Sequence, residues 1–331
     1  MTRGRHSITM LDMLKKSVKR LIWIVFLGFS LTSVNGCSNA PSSYDRIDRP
    51  TPIFYRGNYI SSYDVSYGDH NRQELDIHLR GEWADSDDRM NLRMVGDQPP
   101  TVVFIHGGGW YISDKREWEH FISPFLQAGY NVVNLNYRLR QGIAPAIEDV
   151  SLALTYLHET NETLRLDLDR VLLVGASAGG FMAMFHGAAA NAEENPFPFP
   201  ASIRIAGVVN IVGGGTECFA LYEMLIQHEN PFWQRVGRAL VKEDGDVEAL
   251  MEEVCPSQYF DAGDPPVFLA HGERDQFGPP TQYEEIEAQL RSHGTTVERV
   301  GYPDSGHTFI QHDWRDLFPR LIDFIDVHAA K

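Results

Sequence analysis

The sequence predicts an α/β protein: a mainly parallel sheet flanked by helices, with a small cap inserted at residues 213–262. Three observations predict it. Apolar runs of strand length alternate with segments of helical period through most of residues 60–330. The run Thr101–His106 (TVVFIH) is continuously apolar up to its last residue, as in a strand covered on both faces. The alternation breaks at 213–262, a stretch that begins Gly-rich and holds Phe219, Tyr222, Met224, Leu225, Phe232 and Trp233.

The elements follow in order. Tyr63–Tyr67 and Leu75–Leu79 read as an antiparallel hairpin turned by Asp69-His70-Asn71. Thr101–His106 and Asn131–Asn136 are strands, separated by a helix over Trp118–Ala128 that Gly129 stops. Pro145–Glu159 carries Ile147, Val150, Leu154 and Leu157 at helical spacing. Val171–Val174 is a strand and Ala178–Ala190 a helix. Ile205–Val212 and Pro265–Ala270 are strands on either side of the cap. Thr281–His293 is a helix with Gly294 as its stop, Val297–Val300 a strand, and Trp314–His328 the last helix.

Composition limits what such a chain does. Its 331 residues are 43% hydrophobic and 22% charged, which excludes a collagenous or wholly disordered chain. The formal net charge is −16. Residues 1–36 carry six basic side chains and a single acid, leaving 23 basic and 44 acidic groups on residues 37–331. An acidic body with no basic cluster after Arg20 argues against nucleic-acid binding. Three cysteines are too few for a disulfide scaffold or a four-cysteine zinc site. Neither a metal nor an organic cofactor is expected, and the sequence leaves the oligomeric state open.

The basic head precedes Leu21–Leu31, an apolar stretch too short to span a bilayer. A charged n-region, a short apolar h-region and small residues after it describe an export signal over residues 1–36. Val34-Asn35-Gly36-Cys37 resembles the end of a bacterial lipoprotein signal. The resemblance implies acylation of Cys37, a membrane anchor, and an extracytoplasmic location. Residues 37–55 read as a tether, and 56–331 as the folded domain.

The chemistry gathers at strand ends. Gly175-Ala176-Ser177-Ala178-Gly179 follows the strand VLLV and opens a helix, the context that a nucleophilic serine on a sharp turn requires. His106-Gly107-Gly108-Gly109-Trp110 ends another strand, where glycine N–H groups can hold an oxyanion. Asp275 and His307 each lie just past a strand, and the order Ser, Asp, His is that of the α/β-hydrolases. Asp261 and Asp264 lie at the wrong end of their strand to compete with Asp275. His271 and His312 read as structural rivals of His307, with His312 at the start of the last helix. His106 reads as a brace of the glycine loop, and Arg138 with Asp149 as a structural pair.

These motifs, with Asn136–Leu139 (NYRL), HGERD and SGH, resemble the HGGG(W) esterases of the carboxylesterase and hormone-sensitive-lipase-like group. The resemblance covers about residues 60–330 and implies an α/β-hydrolase fold. It also implies a Ser177–His307–Asp275 triad, oxyanion amides from Gly108, Gly109 and Ala178, and a small-molecule ester as substrate. The group's commonest elbow is Gly-Asp-Ser-Ala-Gly; here Ala176 replaces the acid. Arylformamidase-like amidases and polysaccharide acetyl or feruloyl esterases therefore stay open as relatives, as does a non-catalytic surface lipoprotein on the same scaffold. Trp110, Tyr111, Phe232 and Trp233 are candidate pocket walls. Cys218 and Cys255 are either a disulfide within the cap or two buried thiols.

Overall fold

A computed structural model describes residues 59–83, 92–93, 98–241 and 246–330. The expected export signal, Cys37, the expected tether and residues 56–58 lie outside them. Among the described residues no helix is long and apolar enough to cross a membrane.

Eight strands form one sheet: β1 (Tyr59–Ser66), β2 (Glu74–Arg80), β3 (Pro100–Ile105), β4 (Asn131–Leu135), β5 (Asp167–Ala176), β6 (Ile205–Ile211), β7 (Val267–Gly272) and β8 (Val297–Tyr302). Their spatial order is β1-β2-β4-β3-β5-β6-β7-β8. β1 and β2 pair antiparallel, as do β2 and β4; every pairing from β4 to β8 is parallel. Parallel neighbours need crossovers, and helices supply them: α1 (Glu119–Ala128), α2 (Ile143–Glu159), α3 (Ala178–Ala189) and α7 (Pro280–Ser292). Between β6 and β7 the cap adds α4 (Cys218–Gln227), α5 (Pro231–Leu240) and α6 (Val247–Glu253). The chain ends in α8 (Gln311–His328). This is the α/β-hydrolase fold.

The period of two along the strands sorts the core. Val103, Ile105, Val171, Leu173, Val208 and Leu269 face one apolar cluster, shared with α2, α3 and α7. Val102, Phe104, Leu172, Val174, Val209 and Phe268 face the other, shared with α1 and α8. Both faces are covered, which explains why the central strands are apolar at every position. β5 runs four residues earlier and two residues later than its apolar run suggests, and Asp167 and Arg170 pair with each other at the strand's entry. The three cap helices carry weak sequence signals: only α5 and α6 have side-chain caps, from Asn230 and Asp246. Cys218 and Cys255 form a disulfide, with Cα atoms 5.7 Å apart, that ties the start of α4 to the chain after α6.

One charged cluster is buried near the β1–β2 edge. Lys115, whose side chain is 1% exposed, pairs with equally buried Asp76 at 2.7 Å and with Asp64. Burial still raises the Asp76 carboxyl above its usual range, against the pull of Lys115. Lys115→Met would strand that carboxylate and cost about 3–5 kcal/mol, read by urea unfolding, whereas Lys115→Met with Asp76→Leu should recover much of the loss. A single variant as stable as wild type would show that the pair is not needed to hold the buried carboxylate.

Candidate active site

The elbow is built by backbone crowding. Ser177 sits between β5 and α3 at φ 54°, ψ −124°, a conformation that non-glycine residues hold only under constraint. A Cβ on Gly175 would overlap the Gly179 carbonyl group, and one on Gly179 would overlap the Ile105 carbonyl oxygen. Both positions are therefore closed to any side chain. The same crowding seats the start of α3 against the end of β3. The Ser177 N–H donates to the Ile211 carbonyl at 2.7 Å, and the Ser177 carbonyl accepts the Phe181 N–H at 3.0 Å.

Ser177 Oγ lies 2.8 Å from His307 Nε2, and His307 Nδ1 lies 2.8 Å from Asp275 Oδ2. The Asp275 side chain is fully buried, and its Oδ1 accepts the Phe277 N–H at 2.9 Å. Three residues separated by up to 130 positions thus form one continuous relay. His271 is buried on β7, stacked on Tyr283, with Arg299 3.2 Å from its Nε2. His312 is the second residue of α8 and is exposed. Neither joins the relay.

The glycine loop is braced from behind. His106 is fully buried; burial lowers its imidazole to about 4, so it is neutral. Its Nδ1–H donates to the Gly107 carbonyl at 2.6 Å, which leaves Nε2 to accept from Arg72 at 3.3 Å. Tyr137 stacks on the His106 ring and donates to the His106 carbonyl at 3.0 Å. Asn136 accepts from Arg72 and from the Lys115 N–H. The NYRL run therefore supports the loop, and Arg72 joins it as a contributor without a sequence signal of its own. Arg138 Nε reaches Asp149 Oδ1 at 2.8 Å, a structural pair one step further out.

A cleft of about 550 Å³, its open mouth included, lies beside Ser177 and His307. Gly109 and Ala178 line it; Gly108, at φ 123°, is not among its lining residues and accepts the Tyr111 and Ile112 N–H groups. Ala178 is the first residue of α3, where the amide has no intrahelical acceptor. Of the four expected wall residues, Trp110 and Trp233 line the cleft. Tyr111 and Phe232 pack on each other edge to face instead, with Arg140 over the Tyr111 ring. Phe181, Thr216, Phe277 and Gln282 line the cleft without having been expected from the sequence. Phe277 was open to inference, since it follows Asp275 by two residues and so stays near His307; the rings lie 5.1 Å apart. Among the described residues no group of three or more His, Cys, Asp or Glu could hold a metal ion.

Sheet order, elbow and relay together define an α/β-hydrolase. Residues 92–290 match the BD-FAE family model, which is more than half of the chain, and the chain belongs to that family. It is 27% identical over 258 residues to esterase LipQ of Mycobacterium tuberculosis, covering 74% of this chain and 56% of that protein. It is 24% identical over 274 residues to the isoprenylcysteine α-carbonyl methylesterase ICME of Arabidopsis thaliana, covering 79% of this chain and 60% of that one. The chain thus spans little more than half the length of these relatives. Among solved structures, esterase B from Lactobacillus rhamnosis superposes with a TM-score of 0.65 at 20% identity, over 97% of this chain and 96% of that one. A truncated carbohydrate esterase from gut microbiota gives 0.65 at 18%, over 85% and 100%. These structural likenesses establish the fold.

The neutral His106 ties stability to acid. Its folded value lies below that of an unfolded imidazole near 6.5, so unfolding takes up a proton between those values. The stability it contributes is complete above about pH 6.5 and is lost as pH falls toward about 4. The melting temperature of wild type should therefore fall more steeply over this window than that of His106→Gln. Equal slopes would show that the buried imidazole does not carry the effect.

Proposed function

We propose that the chain is a serine carboxylic-ester hydrolase acting on small or medium acyl or aryl esters. The observation that carries this reading is the unbroken Ser177–His307–Asp275 relay opening onto a mostly apolar cleft. Ser177 Oγ attacks the acyl carbonyl carbon while His307 Nε2 takes its proton. Asp275 holds Nδ1–H and stabilises the imidazolium. Negative charge on the carbonyl oxygen meets the N–H group of Ala178 at the head of α3 and those of Gly108 and Gly109 in the glycine loop. His307 then gives its proton to the departing alkoxide, and the acyl group remains on Ser177. Water attacks that ester by the same route, releasing the carboxylic acid and restoring the serine.

The family membership and the names of the relatives support ester chemistry. The carbohydrate esterase among the structural neighbours keeps acyl groups on polysaccharide within reach as substrates. Hydrolysis of p-nitrophenyl acetate, butyrate, octanoate and laurate tests the reading. Turnover should fall by about 10⁶ in Ser177→Ala and by about 10⁴ in Asp275→Asn. Folded wild-type protein that turns over none of them would contradict it and favour a binding lipoprotein.

We further propose that the chain is exported and held at a membrane through acylated Cys37. The basic and apolar head ending at Gly36-Cys37 supports this, as does a disulfide of the kind that persists in oxidising compartments. In a bacterial host, the full chain should incorporate radiolabelled palmitate and sediment with membranes. Cys37→Ser should do neither; equal labelling of the two would place the acyl group elsewhere or remove the anchor altogether.

A further inference from the structure

The run Ser305-Gly306-His307 sets a second polar side chain close to the relay histidine, and the reaction steps leave it without a task. Ser305 is 1% exposed. Its Oγ donates to Asp313 Oδ2 at 2.5 Å and accepts the Ile310 N–H at 3.0 Å. Asp313 is buried too and is the third residue of α8, whose entry residue Ile310 makes no side-chain cap. A carboxylate in the first turn of a helix is favoured by the field of the free N–H groups there. Through Ser305, Asp313 serves the N–H of the entry residue, which the third-position acid of a capping box does directly.

The hydroxyl thereby closes a loop. The chain leaves Ser305, returns to it at Ile310, and carries His307 between the two ends. Phe309 anchors the same loop: it is buried, with the Tyr302 and Trp314 rings each 5.0 Å away. The Ser305 carbonyl accepts the Arg274 N–H at 2.9 Å, one residue before Asp275. A Cβ on Gly272 would overlap the Ser305 and Gly306 carbonyl oxygens, so the two turns meet backbone to backbone. Ser305 thus joins the turn that carries Asp275, the loop that carries His307, and the start of α8. Its hydroxyl is engaged by Asp313 and Ile310, so its effect on the chemistry passes through the loop.

We propose, on the basis of the ester-hydrolase reading, that Ser305 and Asp313 are positioning residues. By closing the 305–310 loop they hold the His307 imidazole within reach of Ser177 and Asp275 at once. A loop released at one end lets the ring drift, and a misplacement of about 1 Å costs a rate up to about a hundredfold.

The test measures kcat and KM for p-nitrophenyl butyrate in Ser305→Ala, Asp313→Ala and Asp313→Asn, each at a temperature where circular dichroism shows it folded. Ser305→Ala and Asp313→Ala should each lower kcat about ten- to a hundredfold and leave KM within about twofold. Asp313→Asn keeps an oxygen that accepts from the hydroxyl and should recover most of the loss. The double variant Ser305→Ala/Asp313→Ala should be no slower than the slower single variant, because both remove the same link. A merely structural role would lower the melting temperature and leave kcat of the folded protein unchanged. That result, or Asp313→Asn no faster than Asp313→Ala, would overturn the proposal. Should Ser305→Ala not fold, the two Asp313 variants decide alone. If wild type turns over no ester, the hydrolase reading falls and the placement is read on the imidazole itself. The proton between His307 Nδ1 and Asp275 gives a far-downfield NMR resonance, assigned by its absence in His307→Ala. Its loss or upfield shift in Ser305→Ala and Asp313→Ala upholds the positioning role. An unchanged resonance, or none in wild type, overturns it.

Discussion

The close approach of two strand ends is the constraint that makes the site. α3 starts so near β3 that no side chain fits at Gly179, and the turn into it leaves no room at Gly175. This contact, with the parallel pairing of β3 and β5 that sets Ile105 beside Gly175, brings Ser177 and the glycine loop to one point. The strained backbone at Ser177 is disfavoured in itself, and it persists because the surrounding structure fixes both ends. β5 is central in the sheet, hydrogen-bonded on both sides and covered by apolar clusters on both faces. The core thus supplies the stability that the turn draws on, and the turn converts it into the placement of one hydroxyl.

Polar and apolar surroundings divide the work around that hydroxyl. Behind the glycine loop, Arg72, His106, Asn136 and Tyr137 form a hydrogen-bonded brace in which the histidine is kept neutral by burial. In front of it, the cleft is apolar save for a few groups. A neutral imidazole fixes the loop without adding a second positive charge beside Arg72. The cap completes the arrangement by aromatic contact: Trp233 of α5 packs on Phe277 at 4.5 Å, and Phe277 packs on His307. The relay histidine is thereby held on one side by Asp275 and on another by a ring that also carries the cap.

The parts of this arrangement that follow short-range rules were legible in the sequence. The apolar period set the strands from Thr101 onward, and the triad candidates stood out because each lies just past a strand end. Gly129 stops α1 in a left-handed conformation, as its place after a helical run suggests. What the sequence did not reveal depends on contacts between distant segments. Tyr111 and Phe232 face each other instead of the cleft, a choice made by the packing of α5 on the loop after Trp110. Arg72 lies in the turn before β2, far in sequence from the His106 it contacts, and a lone arginine there carries no local signal. Thr216 and Gln282 line the cleft only because the cap returns over the carboxyl ends of the strands. The pairing of Cys218 with Cys255 stood open between a bridge and two thiols until the fold brought them together.

The proposed ester hydrolysis requires that the relay make Ser177 a nucleophile. Treatment with a fluorophosphonate, followed by intact-mass and peptide mass spectrometry, reads this at the residue itself. One adduct per chain is expected, on Ser177, formed far more slowly when His307 is replaced by Ala. No adduct on folded protein, or an adduct at another residue with Ser177 unmodified, would contradict it.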